Sequence, residues 1–484
     1  MTIEEKIFQN QKLFPHKIAI IADSNSITYS ELWRKIIKSA SYFKYQIGLP
    51  LRSRVVISAC NEIEFVYAYF GLHLAGYICI PVDPQTNLIR LNRIIESARP
   101  SSYIGKIQNA DFEVIPFSVL ENASEDIYFN FPRKNSVADL LYTTGTTGIP
   151  KGVVLTYANE EAAAININSF INNTANDIEL LALPVSHSFG LGRLRCVLYM
   201  GGALDLLGSF ANIKKFFNEI ENRHITGFSM VPASWTYIKK ISGNKISDFA
   251  FQIKYIEIGS ASMSLEDKKI LMKLLPNTRI CMHYGLTEAS RSTFLEFHSD
   301  KIHINSIGKP SPNVDLKIFD EQGNEVQDTI EGEICIKGLH VCSNYWDESK
   351  LEFAKNFNNK YFKTGDWGYK EKDGYIYLKS RKKEIINIGG KKVSPIEIEE
   401  VLNTVPGIKE SVCIGIPDPN HVLGEVVKAF VISENEITFS YIIKELRNKL
   451  ESYKIPISIE RIDVIPKTSS GKIQRLLLKS DTFS

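Results

Sequence analysis

No window of about 18 uncharged apolar residues occurs in this 484-residue chain, which argues against a membrane-spanning helix. Its opening, MTIEEKIFQNQK, has no apolar core of signal-peptide length, and its closing SDTFS carries no lipidation or peroxisomal signal. An excess of one charge is missing too. Fifty-seven basic and 55 acidic residues leave +2, which gives no reason to expect nucleic acid or an anionic membrane as partner. Cysteine is sparse: Cys60, Cys79, Cys196, Cys281, Cys335, Cys342 and Cys413 are scattered through mostly apolar surroundings, without metal-ligand spacing. They read as small core residues in a reducing compartment, and the cytoplasm is the expected location. No internal repeat or low-complexity segment is visible, and the length calls for two or more domains.

What is present is alternation. Strand-like runs at Arg54–Ala59, Gly76–Val82 and Glu179–Leu183 take turns with helical patterns such as Glu62–Ala75. That order predicts α/β layers with substantial parallel pairing. Thr28-Tyr-Ser-Glu31 is a capping box, with Leu32, Trp33, Ile36, Ile37, Ala40 and Phe43 at helical spacing behind it. Asp373-Gly374 marks a tight turn between short β-rich pieces. The segment after Arg381 reads as a separate unit. Ser394-Pro-Ile-Glu397 starts a helix; runs at Ser411–Ile416 and Glu425–Ser433 read as strands. A helix striped by Ile442, Leu446 and Leu450 and a strand through Ile457–Ile465 complete an αββαβ order. The expected division is therefore 1–381, a large layered α/β domain, and 382–484, a small mobile α+β domain, joined near the basic run Lys379–Lys383.

Residues Thr143 to Gly152 read TTGTTGIPKG. Polyphosphate calls for short donors on a backbone that can approach closely, and here Thr143, Thr144, Thr146 and Thr147 alternate with Gly145 and Gly148 ahead of Lys151. This is not a Walker A loop, because Gly152 rather than Ser or Thr follows the lysine. Alone, the run fits a solvated turn as well as a phosphate cradle.

Further motifs follow in fixed order: PVSHSFG (184–190), HYGLTE (283–288), EGEICIKG (331–338), YFKTGDWG (361–368), SRKKEIINIGGKKVSPIEIEE (380–400) and PKTSSGKIQR (466–475). Together with ITYSELW near the start and GYICIPVDP at 76–84, they resemble the adenylate-forming superfamily of acyl-CoA synthetases, carrier-loading adenylation domains and luciferases. The resemblance spans nearly the whole chain. It implies a two-step reaction in which a carboxylate attacks the α-phosphate of ATP, giving an acyl-adenylate and pyrophosphate, and a thiol then displaces AMP. Bringing two anions together demands cations and aimed donors.

By this resemblance Thr143, Thr144, Gly145, Thr146, Thr147, Gly148 and Lys151 hold the β- and γ-phosphates. Within Tyr284-Gly285-Leu-Thr287-Glu288, Tyr284 stacks on adenine, Thr287 donates to phosphate and Glu288 holds Mg²⁺, which favours one or two carboxylates plus phosphate oxygens. Many relatives carry an amide two residues before that tyrosine, where this chain has Met282. Asp366 matches the acceptor of both ribose hydroxyls, and Arg381 an arginine reaching the same sugar; Asp366 also fits a plain turn aspartate. Lys472 matches the lysine that bridges the acid's carboxylate and the α-phosphate. It lies at the far end of the small domain, which must close to deliver it. Lys383 matches a hinge or is a surface lysine. Gly389 and Gly390 match the passage for a pantetheine arm, or form a tight turn. His187 matches a residue gating the acid pocket against the thiol, or is a core histidine.

The resemblance implies an acid pocket built from segments 187–195, 258–263 and 284–294. In the middle one Gly259-Ser260-Ala261-Ser-Met263 departs at three positions from the Gly-Gly-Ala-Pro-Leu common in relatives. Amino-acid-activating relatives place an aspartate near Phe189; this chain has Gly190 and no acid nearby, so the resemblance argues against an ordinary α-amino acid. Arg193, Arg195 and Arg291 sit where fatty-acid-specific relatives are apolar. Arg193 and Arg195 cannot both point inward from one helix, and each arginine also fits a solvent-facing or subunit-contact position. The expectation is that Arg193 or Arg291 meets a second polar or anionic group on the acid. The acceptor thiol belongs to CoA or, alternatively, to the phosphopantetheine of a carrier protein.

Overall fold

Strand and helix alternate as the apolar patterning requires in a computed structural model that describes residues 1–107, 113–144, 150–389, 391–433, 437–447, 449–468, 471 and 473–480. By packing, the chain divides into two units, Met1–Asp315 with Ile336–Phe362, and Leu316–Cys335 with Lys363–Ser484. The expected edge at 381/382 falls inside the second unit, where Arg381 ends the strand Ile376–Arg381 and a 3₁₀ turn, Lys382–Glu384, follows.

Among the described residues, two sheets build the first unit. Nine strands form one, and its six central members are parallel, in the spatial order Arg279–Tyr284, Tyr255–Ile258, Gly227–Met230, Ile178–Leu181, Ala203–Leu206 and Ile18–Ala22. Three segments expected to bind the acid follow the carboxyl ends of three of these strands, the usual place for ligands in a parallel sheet. Tyr255–Ile258 is buried throughout. In the second sheet Arg54–Ser58, Ile78–Val82, Ser102–Ile104 and Val137–Thr144 run parallel. Pro150–Thr156 then returns antiparallel to Val137–Thr144, with Thr143 opposite Lys151. Its other edge pairs with Asn344–Tyr345.

Helix Ser188–Met200 lies with both faces covered. It packs on the parallel strands and on helix Tyr157–Ile171, and Phe189, Leu191, Leu194, Cys196, Val197 and Leu198 are all buried. Arg193 and Arg195 are therefore both interior, at 0 % and 5 % exposed, contrary to the expectation that only one could be. Six of the seven cysteines are buried and Cys60 is half-buried. Among the described residues no helix is long and apolar enough to cross a membrane.

In the second unit, helix Pro395–Leu402, strands Ile408–Pro417 and Glu425–Ser433, helix Phe439–Arg447 and strand Ser458–Arg461 reproduce the αββαβ order. Their shared core includes Ile398, Leu402, Cys413, Val427, Ala429, Ile442 and Leu446, with Leu450 packed against it from beyond the helix end. Ser394 caps the first helix by accepting from the Glu397 amide, with Pro395 at its first position. The turn at Asp373-Gly374 closes a hairpin of Tyr361–Lys370 with Ile376–Arg381; Gly374 adopts φ 91°, which suits a glycine.

Candidate active site

The antiparallel pair beside the phosphate loop positions its two ends. Thr143 and Lys151 are paired one residue in from the loop ends of the two strands, and the Trp346 amide donates to the Gly152 carbonyl at 2.8 Å. This pairing brings Lys151 to a segment for which sequence reasoning had no role. Its Nζ meets Glu348 at 3.0 Å and lies 4.7 Å from the centre of the Tyr345 ring. The Tyr345 hydroxyl in turn donates to Glu288 at 2.7 Å, and the Cys342 amide to the Glu288 carbonyl at 2.7 Å. Burial, reinforced by the Glu288 carboxylate, pushes the Tyr345 phenol far above its ordinary pKa, so it remains a donor. Lys151 and Glu288, 137 residues apart in sequence, are thus linked through one side chain, Tyr345. Gly145, Thr146, Thr147 and Gly148 lie outside the described residues, as does the side chain of Thr144.

Tyr284 ends its strand half-buried, Met282 is half-buried two residues earlier, and Gly285 leads into the loop carrying Thr287 and Glu288. His187 occupies the N-cap position of helix Ser188–Met200. Burial lowers its pKa, the nearby charge of Arg90 adds to the shift and Asp83 opposes it, so the imidazole is neutral at physiological pH. Arg90 itself donates to the carbonyl of Tyr142, the residue before the phosphate loop, at 3.1 Å. Ser260 is exposed at φ 73°, a left-handed conformation that explains why relatives favour glycine there. Gly259 is buried and Ala261 half-buried.

The three arginines are not solvated. Arg193 donates to Glu179 at 2.9 Å and to Asn173 at 3.0 Å, and lies 3.4 Å from Glu257. Arg195 bonds Asp139 and sits 2.9 Å from Glu160 and 3.1 Å from the Tyr69 hydroxyl. Arg291 donates to Glu257 at 3.0 Å and to the carbonyls of Ser188 and Phe189, each at 2.9 Å. Arg193 is thus committed to the protein's own carboxylates and is no acid-binding residue. Arg291, equally committed, also borders a narrow cavity of about 30 Å³ with Ser188, Gly192, Thr287 and Ser290.

The second unit holds the ribose motif. Asp366 and Arg381 face each other in register across their hairpin, with Arg381 Nε 2.7 Å from the Asp366 carboxylate. Asp366 is 2 % exposed. Its amide and that of Gly365 are held by the Thr364 hydroxyl at 3.0 Å and by Glu333 at 3.2 Å. Lys383 is exposed on the Lys382–Glu384 turn. Gly389 takes φ 57° and its amide donates to the Leu423 carbonyl at 2.7 Å, so the tight-turn reading holds for it. Gly390 and Lys472 lie outside the described residues. On the flanks of Lys472, Lys467 and Ile473 bridge antiparallel, and Arg475 clasps Glu384 at 2.8 Å and Glu399 at 2.7 Å.

Tyr345, Glu348 and Glu257 escaped the sequence reading because their partners are distant in the chain. His283 and Arg475 stood inside quoted motifs without a role.

The model of the AMP-binding enzyme family matches residues 7–346, and that of the AMP-binding enzyme C-terminal domain matches 397–472. Among curated proteins, 2-succinylbenzoate–CoA ligases of Staphylococcus aureus and Enterococcus faecalis are each 28 % identical to this chain. The alignments cover 95 % of this chain and 96 % and 95 % of theirs. Among solved structures, o-succinylbenzoate CoA synthetase from Bacillus subtilis with its acyl-adenylate intermediate gives a TM-score of 0.88 at 24 % identity, over 98 % of this chain and 97 % of the other. ATP-bound MatB from Rhodopseudomonas palustris gives 0.89 at 23 %, over 99 % of both. At such identities these structures speak to the fold.

Proposed function

This chain belongs to the AMP-binding enzyme family, and we propose from that premise how its residues divide the reaction. It is an AMP-forming acid–thiol ligase: ATP and a carboxylic acid give an acyl-adenylate and pyrophosphate, and the thiol of CoA then displaces AMP. The observation that carries the assignment of residues is the Glu288–Tyr345–Lys151–Glu348 arrangement, which sets one carboxylate and one ammonium beside the phosphate loop. A single half-buried carboxylate completed by phosphate oxygens suits magnesium. Bound there, the ion neutralises phosphate charge.

In the first step an acid oxygen bonds to the α-phosphorus and the bond to the bridging oxygen of pyrophosphate breaks. Thr143, Thr144, Thr146, Thr147 and Lys151 hold the departing phosphates, Tyr284 stacks on adenine, and Thr287 donates to phosphate. Asp366 accepts the ribose hydroxyls, oriented by Arg381. Residues 382–484 act as the lid that delivers Lys472, whose ammonium offsets the two anions as they meet. In the second step Gly389 and Gly390 admit the pantetheine arm and the neutral His187 gates the acid from the thiol. Cytoplasm, where ATP and CoA are both at hand, is the proposed location.

The acid carries a second polar group, and 2-succinylbenzoate is the first candidate. Full-length similarity to ligases of that acid supports this, as do the hydroxyls of Ser188, Thr287 and Ser290 around the cavity beside Arg291. Acid-dependent ATP–pyrophosphate exchange tests it, with 2-succinylbenzoate and other keto, hydroxy and dicarboxylic acids set against medium-chain fatty acids. Stronger exchange with the plain fatty acids rejects the polar-acid reading. Adding CoA or a phosphopantetheinylated carrier protein to the preformed adenylate identifies the acceptor, and CoA is expected.

A further inference from the structure

We propose that Glu257, together with Arg291 and His283, is a positioning device that locks the three acid-binding segments into one geometry and so sets affinity for the acid. This inference rests on the reading that segments 187–195, 258–263 and 284–294 form the acid pocket. Glu257 lies in the buried strand Tyr255–Ile258, two residues before Gly259, and is 0 % exposed. Its Oε1 is 3.0 Å from Arg291 Nε and 2.7 Å from His283 Nδ1. Arg291 continues to the first turn of helix Ser188–Met200, where its two terminal nitrogens reach the carbonyls of Ser188 and Phe189. One carboxylate therefore ties the second segment to the third directly, and to the first through a single guanidinium.

Three glycines, one per segment, show how closely the device fits. A Cβ on Gly259 would come within 2.1 Å of the His283 ring, one on Gly192 within 2.6 Å of Arg291 Nη1, and one on Gly285 within 2.4 Å of the Arg291 amide. Each segment gives up a side chain where His283 or Arg291 must pass. Phe189 closes edge-to-face on the His283 ring, with centroids 4.6 Å apart. Arg291 holds a left-handed backbone, φ 55°, which a long side chain adopts only where its surroundings over-determine it.

The charges balance within the cluster. Arg193 and Arg291 are opposed by Glu179 and Glu257. Burial would raise the Glu257 pKa, but Arg291, His283 and Arg193 together outweigh it and keep the carboxylate ionised. Burial lowers the His283 pKa against the pull of Glu257. Such a cluster holds its shape because removing one member strands another in a dry interior.

The test uses the full chain. Wild type, Glu257→Gln, the conservative Glu257→Asp and Arg291→Lys are compared for thermal unfolding, for binding of a non-hydrolysable ATP analogue, and for KM and kcat in pyrophosphate exchange with 2-succinylbenzoate or whichever panel acid wild type uses best. The expected result is a KM for the acid raised about tenfold or more, with ATP-analogue affinity close to wild type and Glu257→Asp intermediate. If Glu257→Gln fails to fold, Arg291→Lys carries the test, since it keeps the cation and loses the fork to Ser188 and Phe189. An unchanged acid KM in folded variants, or equal losses for acid and ATP analogue, overturns the proposal while leaving the ligase reading intact. Wild type that exchanges with no acid overturns the reading beneath it.

Discussion

Beneath the strand ends and beside the phosphate loop, the first unit handles positive charge in opposite ways. Arg193 and Arg291 are 0 % and 1 % exposed, and each is met by carboxylates and carbonyls of the protein. Lys151 has a side chain 48 % exposed and meets Glu348 at 3.0 Å. A desolvated guanidinium is stable only while its partners stay in place, so it fixes geometry. An ammonium in a half-exposed ion pair holds its partner by about 0–1 kcal/mol and can exchange it for phosphate. On the proposed reading, Arg193 and Arg291 fix the geometry of the pocket and Lys151 is left to meet phosphate.

Four measurements bear on that contrast. Arg193→Leu leaves Glu179 without its guanidinium in the core and should destabilise the fold by about 3–5 kcal/mol in denaturant unfolding. Activity per folded molecule should change far less than stability. Lys472→Ala should do the reverse: roughly 10²–10³ lost in adenylation rate, melting temperature unchanged, and thioester formation from preformed acyl-adenylate largely spared. Equal loss in both half-reactions would remove the role given to Lys472. Lys151→Ala deletes one charge-assisted contact, worth about 1.5–3 kcal/mol, so KM for ATP should rise by roughly one order of magnitude or more with little change in KM for the acid. The mildest effect at neutral pH belongs to His340, 2 % exposed and 3.0 Å from the Ser292 hydroxyl. Burial lowers its pKa to about 4 from an ordinary 6.5. The unfolded chain therefore takes up this proton at a higher pH than the folded one. Stability is full above about pH 6.5 and declines on acidification toward pH 4, by on the order of 3 kcal/mol from this group. His340→Asn should flatten that part of the stability–pH curve. An unaltered curve would place the acid sensitivity elsewhere.

Much of the architecture was legible because its signals are local. The Thr28–Glu31 capping box, the strand Glu425–Ser433 and the αββαβ order of the small domain all appear where patterning put them. Asp366 and Arg381 were named separately from their motifs, and they prove to be cross-strand partners. The arginines were misjudged in part. Helical periodicity assumes one buried face, and Ser188–Met200 is covered on both, so Arg193 and Arg195 each found an acidic partner inside. Tyr345 and Glu348 left no trace in the sequence, because their contact with Lys151 depends on a strand pairing that spans about 190 residues. Glu257 looked like one acidic residue among 55, and only the meeting of three strand ends sets it apart.

The return strand Pro150–Thr156 is bonded along both edges, to Val137–Thr144 on one side and Asn344–Tyr345 on the other. A chain cleaved once between residues 145 and 149 would therefore keep both cut ends docked by their ladders. Fragments divided at that point should reassemble through the pairing of Val137–Thr144 with Pro150–Thr156.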